Sequence, residues 1–361
     1  MVENRRVLFK GPAGTGKTFL AIEAARRAIR EGRSTAIVCF NSLLSNWIRS
    51  ETQLIQTEAK RRNLEFYAGS LSALMLNTAR VRVPENADRD FWWGELPNRT
   101  IEALLSSERA SPSFDFLVID EAQDLLSDES LDILDLLLTG GLSGGRWAIF
   151  GDFERQAIYA DVGAADGVER LTHRAGENFT TLRLRVNCRN SARIAEAVTI
   201  TSGLSPGYSR VLNESASPDV EPMFYRNTVH QSEILKEILG DLLKVFSSNQ
   251  IVVLSTRTDT ASCASGLAEV DIGVPVVPFK EIGESVSAVR YASIHSFKGL
   301  EASAVIITDV EHIDDEQSKA LLYVGMSRAR VRLHILMNEN LRATYDAMLD
   351  HGLRMALQKG I

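Results

Sequence analysis

GPAGTGKT, Gly11 to Thr18, follows the short apolar run Val7 to Phe9 and precedes FLAIEAARRAIREG, whose apolar residues recur at helical spacing as far as Gly32. Strand, glycine loop and helix in this order are the context in which the pattern binds phosphate. Backbone N–H groups of the loop and the helix N-terminus would cradle a nucleotide's phosphates. Lys17 would reach the β and γ oxygens, and the Thr18 hydroxyl would hold Mg²⁺. The candidate nucleotide contacts are therefore Gly11, Pro12, Ala13, Gly14, Thr15, Gly16, Lys17 and Thr18.

Outward from this loop, Ser34 to Phe40, Phe114 to Asp120 and Arg146 to Phe150 are further apolar runs of strand length, with helical stretches such as Leu131 to Leu138 between them. Strands alternating with helices imply a parallel sheet wrapped by helices. A second alternating series begins near Pro222 and continues to the strand Val331 to Met337, after a Ser, Pro, Gly and Asn-rich connection. The chain has 361 residues, 45% hydrophobic and 24% charged, which is enough for two packed domains. A net charge of -7 argues against a polybasic coat but leaves room for a locally basic cleft. Cys39, Cys188 and Cys263 lie far apart with no CxxC pair, and the histidines show no HExxH spacing. Neither a disulfide framework nor a zinc site is expected. No long apolar span and no signal-peptide pattern is present, so the expectation is a cytoplasmic protein with no membrane contact.

FLVIDEAQD ends an apolar run in two adjacent carboxylates. Asp120 would hold the Mg²⁺ hydration shell and Glu121 would orient and deprotonate an attacking water. The later stretch GGLSGG, Gly140 to Gly145, is spelled like the signature of ABC-type ATPases. In those proteins the signature precedes the acidic strand, whereas here it follows, so it reads as a flexible connector between a helix and the strand Arg146 to Phe150.

Six motifs stand in series: GPAGTGKT, DEAQD (Asp120 to Asp124), GDFERQAIY (Gly151 to Tyr159), LRVNCRNSARI (Leu184 to Ile194), SIHSFKGLE (Ser293 to Glu301) and LLYVGMSRA (Leu321 to Ala329). In this order they resemble motifs I to VI of the UvrD/Rep-like superfamily 1 helicases, with CFNSLL near Phe40 and YAGSL near Ser70 as fainter echoes of motifs Ia and Ib. The resemblance implies an α/β fold of two RecA-like P-loop NTPase domains with parallel sheets. The first would span 1–205, with a small helical insert at about 71–113, followed by a linker at 206–221 and a second domain at 222–361. It implies ATP and Mg²⁺ as cofactors and ATP hydrolysis as the activity. Lys17, Glu121, Gln156, Arg189 and Arg328 would be catalytic, Gln156 sensing the γ-phosphate and the two arginines acting as fingers. Gly299 would approach the γ-phosphate and Glu301 the ribose, while Thr18 and Asp120 hold the metal. Phe40, Asn41, Ser70 and His295 would face a single nucleic-acid strand, DNA favoured over RNA, along which the family steps 3′ to 5′. Phe40 fits equally as core at a strand end.

Several residues depart from the family pattern. The run from Gly151 to Gln156 is one residue longer than usual, the tryptophan after the IY of motif III is absent, and Cys188 stands where motif IV carries a tyrosine that packs on adenine. About six residues precede the first strand, so an adenine-reading glutamine motif is missing, and either the chain belongs to a longer polypeptide or base selectivity has been given up. The large accessory subdomains of processive relatives have no room. These departures leave two expectations open: a translocase on single-stranded DNA, with duplex unwinding undecided, or an ATP-gated module controlling a nuclease or other effector, fused or as a partner, without strand separation. The insert's DFWWGEL, Asp90 to Leu96, reads as local core or as an exposed docking patch.

Overall fold

The computed structural model describes residues 4–106, 113–154, 164–202, 207–267, 272–279 and 287–358. They divide into two compact units: Met1–Gly11 with Lys17–Leu184, and Pro12–Gly16 with Arg185–Ile361. Each has a RecA-like α/β fold around a parallel sheet.

In the first unit the chain runs β1 (Arg6–Lys10), α1 (Lys17–Arg30), β2 (Thr35–Cys39), α2 (Ser42–Glu51), α3 (Gln53–Arg61), β3 (Phe66–Ser70), α4 (Leu71–Ala79), α5 (Leu96–Leu105), β4 (Phe116–Ile119), α6 (Asp128–Leu137), α7 (Gly141–Gly144), β5 (Trp147–Gly151), α8 (Ala164–Ala175) and β6 (Thr180–Arg183). The six described strands order as β3-β2-β4-β5-β1-β6, all parallel. β2 and β5 are buried along their whole lengths, as strands covered on both faces must be, which is why they read as unbroken apolar runs. Leu8, Ile119 and Ile149 from the sheet pack with Leu131 and Leu134 of α6. The described residues between β3 and β4 include α4, a π-helical turn Phe91–Glu95, and α5, whose second residue Pro97 suits a first helical turn.

The second unit continues with β7 (Val186–Ser191), α9 (Ala192–Ser202), β8 (Arg210–Asn213), β9 (Pro222–Tyr225), α10 (Thr228–Leu242), β10 (Ile251–Ser255), β11 (Val276–Pro278), β12 (Val289–Ser293), β13 (Ala302–Val310), α11 (Glu316–Met326), β14 (Ala329–Asn338) and α12 (Arg342–Gln358). Its main sheet orders as β11-β12-β10-β13-β14-β9, again parallel, and β7 pairs separately with β8. α10 buries Ile234, Leu235, Ile238, Leu239 and Leu242, the stripe that helical periodicity places on one face. The division at Leu184 falls earlier than the 206–221 connection expected from composition. β7 is paired with β8, and α9 packs on α11 and α12, so the motif IV segment travels with the second unit.

The GGLSGG connector is a pinned turn and not the flexible loop expected. α7 closes one helical turn, Leu142 is fully buried, its N–H donates to Asp135 Oδ1 at 2.7 Å, and its carbonyl accepts from Trp147 Nε1 at 2.9 Å. The paired glycines are needed because Gly140 and Gly141 hold φ of 84° and 63°.

Candidate functional site

β1 delivers the chain into the glycine loop, and Gly11 N–H closes onto Gly151 O at 3.1 Å. Lys17 opens α1, is nearly buried, and its Nζ donates to Gly11 O at 2.9 Å. An ammonium held back on the loop's own carbonyl marks where a phosphate oxygen would compete for it. Gly14 and Gly16 have φ of 76° and 79°, which L side chains rarely adopt, and a Cβ on Gly14 would come within 2.8 Å of Asn187 Oδ1. Inside the second unit, Tyr323 Oη accepts the Ala13 N–H at 3.2 Å, Tyr208 Oη donates to Ala13 O at 2.8 Å, and the Cys188 N–H donates to Gly14 O at 2.8 Å. Tyr208 and Tyr323 were not singled out from sequence.

Asp120 follows β4 and is fully buried, with its N–H on Val38 O at 2.9 Å. Neither carboxylate oxygen accepts a hydrogen bond. Burial, and then the neighbouring Glu121 charge, push its carboxyl up to about 7. The Thr18 hydroxyl pulls the other way, and so does the Lys17 ammonium. Two unsatisfied buried oxygens beside a P-loop hydroxyl fit a divalent cation, whose charge reverses the pKa logic of the site. Among the described residues no cluster of three or more His, Cys, Asp or Glu could hold a metal.

Glu121 is nearly buried and sits at φ 50°, an uncommon backbone state for a residue with a side chain. Its Oε2 accepts from Gln123 Nε2 at 2.5 Å, and Gln123 Oε1 accepts the Asp152 N–H at 3.1 Å. Gln123 thus ties the acidic pair to the residue after β5. Its role was missed because a glutamine two places past the acids has no periodic signal. Gln156 lies outside the described residues.

In the second unit, Arg189 Nε donates to Glu301 Oε2 at 2.6 Å and Nη1 to Ser327 O at 3.3 Å. Glu301 also lies 3.6 Å from Arg330. Arg328 is almost fully buried. Its Nε donates to Val324 O at 2.9 Å, Nη1 to Leu300 O at 3.4 Å and Nη2 to Ser327 Oγ at 2.9 Å, which places the guanidinium over the carbonyl end of α11. Gly299 has φ 89°. Asn187 and Asn190, both fully buried, fix the motif IV turn. Asn187 Oδ1 accepts the Arg189 and Asn190 N–H groups, and Asn190 Nδ2 donates to Ser327 O at 3.1 Å and Ala329 O at 2.6 Å. These asparagines were also missed, since buried polar partners leave no trace in hydropathy. Arg189, Glu301, Ser327 and Arg328 are therefore brought together in one constellation.

Phe40, Asn41 and Ser70 gather at the C-terminal ends of the adjacent strands β2 and β3, whose register pairs Cys39 with Ser70. Asn41 Oδ1 caps α2, accepting from Leu43 and Leu44 N–H, and Ser70 Oγ caps α4, accepting from Ala73 N–H at 3.1 Å. Phe40 is half-buried and stacks on Trp93, with ring centroids 6.2 Å apart. In the insert, Phe91 is core, Trp92 is half-buried and Trp93 is 41% exposed, so DFWWGEL divides between the two expected roles. His295 follows β12 in the second unit, half-buried, its imidazole held below the ordinary range by burial and then by Lys298.

Residues 288–336, β12 to β14 with motifs V and VI, match the UvrD-like helicase C-terminal domain. A solved structure of the DEAD-box helicase Mss116, bound to ssRNA and UDP-BeF, aligns over 96% of this chain and 70% of that one, at 15% identity and a TM-score of 0.53. At that identity the likeness is one of fold, and it agrees with two RecA-like units. Two structures of the arterivirus helicase nonstructural protein 10, one with DNA, align over 95% of this chain at 15% and 16% identity with TM-scores of 0.41 and 0.43, and the chain spans 62% of their length. No curated protein matches the sequence. Among the described residues, no helix is long and apolar enough to cross a membrane.

Proposed function

We propose that the chain is a nucleic-acid-dependent ATPase of UvrD-like type that moves along single-stranded DNA from 3′ to 5′. The observation that carries the reading is Asp120, buried with both carboxylate oxygens unsatisfied next to the P-loop Thr18 and Lys17. Thr18 and Asp120 would hold Mg²⁺, which supplies charge neutralisation on the β and γ phosphates. Lys17 leaves Gly11 O for the γ oxygens. Glu121, fixed through Gln123, accepts a proton from the attacking water, and Gln156 orients that water. Arg189 and Arg328 supply positive charge to the transferring phosphoryl group, Gly299 lets backbone approach it, and Glu301 binds the ribose. Phe40, Asn41, Ser70 and His295 are the proposed strand contacts, sequence-tolerant because every base offers a stacking face.

A fluorophore at one end of a single-stranded DNA track tests the reading. ATP-driven arrival, seen as quenching, is expected at the 5′ end, with a delay that grows with track length. No delay at either end on any DNA or RNA track would refute it. The second reading, an ATP-gated switch controlling a nuclease or other effector, is favoured by one observation: Arg189 and Arg328 are already hydrogen-bonded within their own unit. A switch would bind and turn over ATP with no arrival signal.

A further inference from the structure

A cavity of about 260 Å³ lies in the first unit between the insert and the start of α6, walled by Phe40, Met75, Trp92 and Trp93 and bounded by Asp124 and Glu129. Its size suits one side chain, since small-molecule sites run to roughly 300–1,000 Å³. No lysine, arginine or histidine lines it among the described residues. The positive end of α6 faces it, but that end is already covered: the Ser127 hydroxyl accepts the Ser130 N–H, and Asp128 and Glu129 occupy the first turn. A nucleobase entering here would bring its phosphate to a rim of carboxylates. A cation on an apolar stem meets the opposite situation, because aromatic faces attract it and the carboxylates neutralise it.

We propose that this cavity docks an arginine side chain of a partner polypeptide, its guanidinium against the Phe40 and Trp93 rings with Asp124 and Glu129 as counter-charges. Arginine is the better fit among cations because its planar group stacks on rings and donates to carboxylates at the same time. The site goes beyond the ATPase reading and does not depend on it. Phe40 is shared with the proposed strand contacts, so a partner docked here would compete with a nucleic-acid strand at that ring.

The test titrates the full chain with the blocked tripeptide acetyl-Ala-Arg-Ala-amide, its norleucine counterpart and the dinucleotide dTdT, read by tryptophan fluorescence. Trp92 and Trp93 line the cavity, Trp147 is fully buried and Trp47 stands outside it against Phe19, so a Trp47→Phe background makes the signal local. The arginine peptide should saturate and bind at least about fivefold more tightly than the norleucine peptide. Glu129→Gln should weaken the arginine peptide about threefold and leave the norleucine peptide unchanged. Trp93→Ala should abolish saturation with the melting temperature nearly unaltered. Lys17→Ala, which disables the nucleotide site, should leave peptide binding intact, so failure here and failure of the ATPase reading are separable. Equal binding of the two peptides, tighter binding of dTdT, indifference to Glu129→Gln or no saturation at all overturns the proposal.

Discussion

The acidic pair of the first unit and the arginine pair of the second are in opposite states. Asp120 is buried with neither oxygen satisfied, and burial raises its pKa. Arg328 is buried just as deeply but each of its guanidinium nitrogens has an acceptor, and Arg189 is paired with Glu301. An unsatisfied buried charge costs free energy that a cation would recover, so the first unit gains on binding. The arginines are stable where they are, and a phosphate must outcompete carbonyl and carboxylate acceptors to recruit them. Binding of nucleotide is therefore expected to be favourable on one side and conditional on the other.

The largest effect should come from Glu121→Gln. Removing the proton acceptor is expected to lower ATP turnover by roughly 10²–10⁴-fold while nucleotide binding, measured by fluorescent-nucleotide titration, stays within a few-fold. Loss of binding instead would make Glu121 a structural residue of its left-handed turn.

Asp120→Asn should raise the melting temperature without nucleotide and abolish its rise with Mg²⁺ and ATP. The sign follows from the raised pKa: the folded protein holds the Asp120 proton more tightly than the unfolded chain, so this contribution is whole below about pH 4 and is lost as pH rises toward about 7. The advantage of the asparagine variant should grow over that interval and then level off, reaching several degrees. A flat difference across pH would mean that Asp120 is not the strained group.

Asn190→Ala sharpens the other half of the contrast. It removes one donor each from the Ser327 and Ala329 carbonyls, the former keeping Arg189 Nη1, and should cost about 1–3 kcal/mol in denaturant unfolding. Smallest is Glu301→Gln. The Arg189–Glu301 pair is partly exposed, so stability should change by less than about 1 kcal/mol, while KM for ATP rises two- to fivefold, roughly, if the carboxylate binds ribose. A change in turnover rather than KM would place the pair in control of the transition state.

What was legible in the sequence had a local cause. β1, the glycine loop and α1 follow from an apolar run, residues able to adopt positive φ and a helical period. β2, β4 and β5 are readable because strands buried on both faces become apolar throughout. Asp120 was legible as a strand end because it closes such a run. What was illegible depends on partners distant in the chain. β7 belongs to the second unit through β8 and through the strand β14 more than a hundred residues later, so composition put the boundary too late to match the compact units. Gln123, Asn187 and Asn190 are buried polar residues whose value is a hydrogen bond, and polarity alone reads as surface. Trp93 meets Phe40 only because the insert folds back on the end of β2. The turn at GGLSGG is fixed by Asp135 and Trp147, which a glycine-rich spelling conceals.

The most direct measurement is steady-state ATP hydrolysis by the purified chain, alone and with single-stranded DNA, duplex DNA and single-stranded RNA of equal length, with Glu121→Gln as control. The account predicts slow basal turnover, a stimulation of at least about tenfold that is greatest with single-stranded DNA, and near-complete loss in the variant. Turnover indifferent to every nucleic acid, or unchanged by Glu121→Gln, would contradict it.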